Sequence, residues 1–136
     1  MKRVFLDTNI LLDILLKRDD YVSAAQILAL SNNSEYSIHI SVLTIANIAY
    51  ILRKVLVGDQ LYDGLVKLTN KVNVEPLTNS NLQSALCLKA KDFEDSLQYF
   101  CAISADCDVI VTRNVKDFSY SRLPILTPKE LLSLIN

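Results

Sequence analysis

Glycine is nearly missing from this chain: only Gly58 and Gly64 occur among its 136 residues. A phosphate-cradling P-loop and a dinucleotide fingerprint each need several glycines in one turn, so both are excluded. Histidine is scarcer still, a single His39 in the alternating run Tyr36-Ser37-Ile38-His39-Ile40. A histidine metal cluster or a catalytic triad would need partners that the chain lacks, so His39 is read as structural. The three cysteines, Cys87, Cys101 and Cys107, are odd in number and lack the close paired spacing of a zinc or redox motif. They are expected as reduced core thiols. An excess of charge of one sign is also lacking, the formal net charge being -1. No global basic field steers a polyanion, and any contact with nucleic acid must be local. Long apolar runs are absent too. The short one before Asp7 is neither a signal peptide nor a membrane span, and a cytoplasmic protein without a membrane partner is expected.

What is present is an ordinary globular composition, 51% hydrophobic. With no repeat, linker or low-complexity tract, it predicts one domain over 1–136 around one core. The organising stretch is its beginning. Val4-Phe5-Leu6 is a strand-forming run that stops at a carboxylate, Asp7, and helical apolar spacing resumes from Asn9 to about Lys17. If that strand is central in a parallel sheet, Asp7 emerges at the carboxyl edge, where open α/β sheets hold ligands. The plainer reading is that Asp7 or Thr8 caps the helix.

Further helices are predicted from Tyr21 to about Leu30, Val42 to about Val57, Gln60 to about Asn70, Thr78 to about Lys89 and Lys91-Asp92 to about Ala105, and at the C-terminus from Pro128. Strands are predicted at Tyr36–Ile40, Val72–Leu77 and Asp108–Thr112, with a short one at Ile125-Leu126. Strands separated by helices imply a three-layer α/β/α sandwich around a mostly parallel sheet of four or five strands.

Three chain reversals carry oxygen-bearing side chains: Asp7, the pair Asp92 and Asp95, and the pair Asn114 and Asp117. In a parallel sheet these points converge on one edge. Gathered carboxylates raise one another's pKa unless a cation sits among them. Mg²⁺ or Mn²⁺ resolves that conflict, and a metal ion so held can polarise a phosphodiester and activate water without any histidine or cysteine. Singly, Asp92 with Asp95 and Asn114 with Asp117 are also spaced as helix caps. Arg113 and Lys116 flank Asn114 and are candidate contacts for a substrate phosphate. Arg53 and Lys54 are read as solvated surface charge.

The opening Val4-Phe5-Leu6-Asp7-Thr8-Asn9-Ile10, the helix start Asp95-Ser96-Leu97-Gln98 and the run Val111-Thr112-Arg113-Asn114-Val115-Lys116-Asp117-Phe118 together resemble the PIN-domain family, typified by the VapC toxins of bacterial toxin-antitoxin pairs. The resemblance covers essentially the whole chain. It implies a PIN-like fold and a divalent-metal ribonuclease with four acids, often dimeric and often inhibited by a small antitoxin. Asp7 and Asp95 match the family's acids directly as metal ligands. Asn47 stands where a glutamate is usual, and Asn114 where an aspartate is usual, with Asp117 three residues on. Asp92 and Asp117 are then expected to supplement the metal shell, Asn114 and Asp117 to complete it or orient water, and Asn47 to position water; a hydrogen bond from Asn47 to a neighbouring loop is the alternative.

The leading expectation is therefore a toxin endoribonuclease acting on RNA with Mg²⁺ or Mn²⁺, bound by a cognate antitoxin and able to form a homodimer. The alternative is a catalytically weak or inactive PIN-like module that binds RNA or a protein. An aspartyl phosphatase is disfavoured because Asn9 replaces the second acid such enzymes carry, and a response regulator because Glu75-Pro76-Leu77 offers no aspartate to phosphorylate.

Overall fold

A computed structural model describes residues 2–135. The five strands are β1 (Lys2–Leu6), β2 (Tyr36–Ser41), β3 (Asn73–Glu75), β4 (Val109–Val111) and β5 (Ile125–Leu126). They form one parallel sheet in the order β3-β2-β1-β4-β5. The chain enters at the central strand, winds outward through β2 and β3, then returns to build β4 and β5 on the other side. The direction of winding therefore reverses beside β1. At such a point the crossover loops diverge and leave a crevice at the carboxyl ends of the strands.

Seven α-helices flank the sheet: α1 (Thr8–Leu16), α2 (Tyr21–Ala29), α3 (Val42–Leu52), α4 (Asp59–Thr69), α5 (Asn79–Leu88), α6 (Phe93–Ser104) and α7 (Pro128–Ile135). Strand alternation sorts the core into two layers. Val4, Leu6, Ile38, Ile40, Val109 and Val111 face one side, packing on Ile10, Leu11, Ala24, Ile27, Ile48 and Leu131. Phe5 and Ile110 face the other, against Tyr99, Cys101, Ala102 and Phe118. The strands are apolar on both faces because helices cover both.

Three details differ from the sequence reading. The third helix ends at Leu52, five residues before Val57, and tight turns follow in which the Val55 and Leu56 amides return to Leu52 O at 3.0 and 2.8 Å. Val55 and Val57 are 67% and 72% exposed, so no packing repays the cost of holding β-branched residues helical there. Gly58 then starts α4 at φ 53°, ψ -125°, a conformation open to glycine. The run after β4 is not plain loop but a 3₁₀ turn over Val115–Phe118, anchored by buried Phe118. Of the thiols, Cys101 and Cys107 are buried as expected, but Cys87 is exposed, because it lies on the outer face of α5. His39 Nδ1 meets Glu75 Oε1 at 2.8 Å and its Nε2 meets Ser37 Oγ at 2.7 Å, which agrees with a structural histidine.

Candidate functional site

Asp7 leaves the central strand at its carboxyl end and occupies the N-cap position of α1, yet its side chain makes no capping bond. Its Oδ2 instead accepts from Thr112 Oγ1 at 2.9 Å, just beyond β4. Asp7 is 4% exposed, and among the described residues no arginine or lysine pairs with it.

Asp95 comes from the first turn of α6, whose geometry is set by Asp92: Asp92 Oδ1 accepts from the Asp95 amide at 2.9 Å as a true N-cap. Asp95 itself does not return the bond, which leaves its carboxylate free to face the cleft. Asn47, on α3, donates through Nδ2 to Glu94 Oε1. That is its hydrogen-bond partner, on the facing helix rather than in a loop.

These side chains share one cleft of about 390 Å³, lined by Asp7, Thr8, Asn9, Asn47, Asp92, Glu94 and Asp95, with Leu12, Tyr50 and Ile51 on its apolar wall. Four of the lining residues are acids and none is Lys, Arg or His. The consequence is electrostatic. Burial pushes Asp7 up to about 6, only partly offset by the Thr112 hydroxyl, with Glu94 and Asp92 raising it further. Burial followed by Asp7, Asp92, Asp117 and Glu94 pushes Asp95 up to about 7. Asp7 and Asp95 each titrate in the field of neighbouring acids, as like charges in low dielectric must.

A polar brace under the cleft holds its walls in register. Gln98, 1% exposed, donates through Nε2 to Thr8 Oγ1 at 2.9 Å and Thr44 Oγ1 at 3.0 Å, while its Oε1 accepts from Ser41 Oγ at 2.7 Å. Thr8 and Thr44 bond each other at 2.8 Å. One amide thus ties α6 to the starts of α1 and α3, the three helices that carry Asp95, Asp7 and Asn47. A fully satisfied buried network of this kind fixes a unique arrangement.

The remaining residues singled out from the sequence lie elsewhere. Asp117 and Lys116 line a neighbouring cleft of about 590 Å³ together with Lys91, Asp92, Ser119 and Tyr120. Asp92 borders both clefts, and the Asp117 charge reaches Asp95 across it. Asn114 is exposed and lines neither; its amide donates to Thr112 Oγ1 at 3.1 Å, and its side chain makes no capping bond. Arg113 turns away from both clefts to the far side of α1, where it binds Asp13 Oδ1 at 3.1 Å and pairs with Asp19. Arg53 lies over the Tyr50 ring, 3.7 Å from its centroid, on the α3 wall. The sequence reading missed Glu94, Tyr50 and the bracing role of Gln98. The signal for Gln98 was its place one turn after Asp95 on an otherwise apolar helix face.

The residues fit a hard divalent ion of the Mg²⁺ kind. Among the described residues no three His, Cys, Asp or Glu side chains close tightly enough to enclose an ion. An open site with one or two carboxylates suits an ion that keeps several waters and takes its other oxygens from substrate phosphate.

Fold and cleft together define an α/β/α domain with an anionic pocket at the carboxyl edge of its sheet. A family model described as PIN domain matches residues 3–116, and the chain belongs to the PIN domain family. It is 26% identical over 135 residues to Ribonuclease VapC1 of Aquifex aeolicus, covering 95% of this chain and 92% of that one. Among solved structures it resembles VapBC-1 of nontypeable Haemophilus influenzae, with a TM-score of 0.72 at 22% identity over 93% of this chain and 98% of the other. It also resembles DNA-bound VapBC of Salmonella typhimurium, with a TM-score of 0.70 at 17% identity over 94% and 99% of the two chains.

Proposed function

We propose that this PIN domain is a divalent-metal-dependent ribonuclease and the toxin of a toxin-antitoxin pair. One observation carries the chemical part: Asp7 and Asp95, from opposite ends of the chain, line a single cleft that contains four acids and no basic side chain. Such a pocket is destabilised by its own charge and is relieved by a cation.

Asp7 and Asp95 would hold Mg²⁺ or Mn²⁺. When bound, the ion would polarise a phosphodiester and lower the pKa of an attacking water. Thr112 orients the Asp7 carboxylate through its hydroxyl. Asn47, half-buried on the facing wall, positions water, and Asp92 holds Asp95 in place from the N-cap while bordering the cleft. Lys116 and Lys91, in the adjoining cleft beside Asp117, would grip the phosphates of an RNA strand crossing from one cleft to the other. Arg113 is committed to Asp13 and Asp19, so the substrate phosphate falls to the lysines.

The partners are RNA, a cognate antitoxin and a second copy of the chain. Val22 on α2 and Tyr62 and Val66 on α4 leave 54%, 68% and 58% of their surface exposed, and these helices would supply a contact face. Among the described residues no helix is long and apolar enough to cross a membrane, and we place the activity in the cytoplasm.

The test is RNA cleavage by the purified chain. Added Mn²⁺ should switch cleavage on, EDTA should abolish it, and Asp7→Asn or Asp95→Asn should lower it on the order of a hundredfold or more. Full activity in Asp7→Asn would overturn the mechanism. Expression of the chain alone should arrest growth, and Asp95→Asn should relieve the arrest. A second reading, a PIN module without chemistry, draws on the amides Asn47 and Asn114 where acids are usual. It requires that no cleavage occurs and no Mn²⁺ binds at millimolar concentration.

A further inference from the structure

A pocket that binds a hard cation gains affinity with each carboxylate it can present. In this cleft the carboxylates are not equally available. Asp7 shares one oxygen with Thr112, and Asp95 faces the cleft unpaired. Asp92 has given one oxygen to the start of α6. Asp117 lines only the neighbouring cleft. The acid left is Glu94, one residue before Asp95 and exposed at the lip of the cleft.

Glu94 is not a free surface acid. Its Oε1 accepts from Asn47 Nδ2 at 2.5 Å, across the cleft from α6 to α3, joining residues 47 positions apart. A glutamate on the first turn of a helix ordinarily has several rotamers and spends them in solvent. This one is drawn toward the opposite wall by an amide that has no charge of its own to offer a cation. An amide hydrogen bond spends a single oxygen of the carboxylate, and Oε2 remains for another partner. The side chains at this end of α3 that line the cleft are Asn47, Tyr50 and Ile51, none of them ionised. The α3 wall therefore contributes a donor, and the anion at that wall belongs to α6.

We propose that Glu94, held by Asn47, sets a third negative charge beside the ion that Asp7 and Asp95 would hold, so that a residue pair from two helices presents at the α3 wall the negative charge that α3 lacks. This rests on the metal-site reading above, and the two can fail separately. The role has a structural consequence. Because the charge sits on the same turn as Asp95, the two acids move together, and the brace through Gln98 sets the position of both. Its geometric requirement is that Asn47 keep its donor: a side chain of equal size without Nδ2 would leave Glu94 to relax into solvent.

Calorimetric titration of the full chain with Mn²⁺, without RNA, tests the proposal. Glu94→Gln should weaken Mn²⁺ binding about tenfold, and Asn47→Ala about threefold, because loss of the charge costs more than loss of its support. The exchange Asn47→Glu with Glu94→Gln moves the charge back to α3 and should return affinity to within about threefold of the unmodified chain. Thermal melts of the metal-free variants verify folding, which an exposed glutamate should not disturb. Unchanged Mn²⁺ affinity in folded Glu94→Gln, with binding lost in Asp95→Asn, would overturn the role of Glu94 and leave the metal site standing. A double exchange that binds no better than Glu94→Gln would overturn the shared-charge arrangement. Absence of Mn²⁺ binding by the unmodified chain would overturn both.

Discussion

Asp7 and Asp13 lie less than two turns apart at the start of the chain, and each is 4% exposed. Both pay the cost of placing a carboxylate out of water. Burial raises the pKa of each, but the opposition differs. Asp13 is pulled back by Arg113 and Arg18, which stand 3.1 and 3.3 Å away. Asp7 has only the Thr112 hydroxyl and the Thr8 amide in its favour, with other acids against it, and rises to about 6. The first is a brace completed by the protein's own cations. The second has no cation of the protein beside it, and in the proposed mechanism its counter-charge comes from outside. The same residue type, equally buried on the same element, is structural or functional according to whether the fold supplies an opposite charge.

Breaking the brace should have the largest effect on stability. Asp13→Ala removes the partner of two guanidinium groups and should lower unfolding free energy by about 3 kcal/mol in a urea titration. If instead it costs nothing, the ion pairs around Arg113 are ornamental, and Arg113 becomes available to substrate. Gln98→Leu should come next. It leaves Ser41 Oγ without its acceptor and Thr8 and Thr44 without their amide donor, at a cost of about 2 kcal/mol, and it should impair Mn²⁺ binding although Gln98 touches no ligand.

The pH response sharpens the contrast further. Asp7 and Asp95 hold protons more tightly when folded, at about 6 and about 7, than at the ordinary value of 3.8. The folded state therefore binds more protons across that interval. The stability these two groups contribute is fully present below 3.8 and is lost as pH rises through 6 and 7. The melting temperature of metal-free protein should fall between about pH 5 and pH 8, and millimolar Mn²⁺ should raise it more at pH 8 than at pH 5. The smallest effect is also the most telling. Asp7→Asn, which deletes the unpaired charge, should stabilise the metal-free protein by about 1 kcal/mol at pH 8 and by almost nothing at pH 4. Asp13→Asn should move stability the other way.

Much of this contrast was legible in the sequence on one side only. The apolar run ending at Asp7 announced a buried strand with an acid at its exit, and the β4 run with Thr112 behind it announced the neighbouring strand. Their parallel pairing follows from helices intervening in the chain. Asp95 was legible because it opens a helix at a chain reversal and matches an acid of the family the sequence resembles. The partners of Arg113 were not. Asp13 looks like an ordinary helix-surface acid and Asp19 like a loop acid in one dimension, and only the pairing of β4 with β1 brings Arg113 to them. Glu94 was equally hidden, because its importance comes from Asn47 on another helix. The third helix was read too long because apolar periodicity continues through Val55 and Val57, where tertiary packing does not.

Mn²⁺ calorimetry at about pH 6.5, repeated in buffers of different ionisation enthalpy, tests the site most directly, since a cation that binds between Asp7 and Asp95 must displace the protons they hold. With the two acids at about 6 and about 7, binding should release about one proton at that pH, about none at pH 8.5, and at most about a quarter of a proton at pH 6.5 in Asp95→Asn, which should bind weakly if at all. No binding heat, or binding of equal strength and without proton release in both the unmodified chain and Asp95→Asn, would contradict a cation site between these two carboxylates.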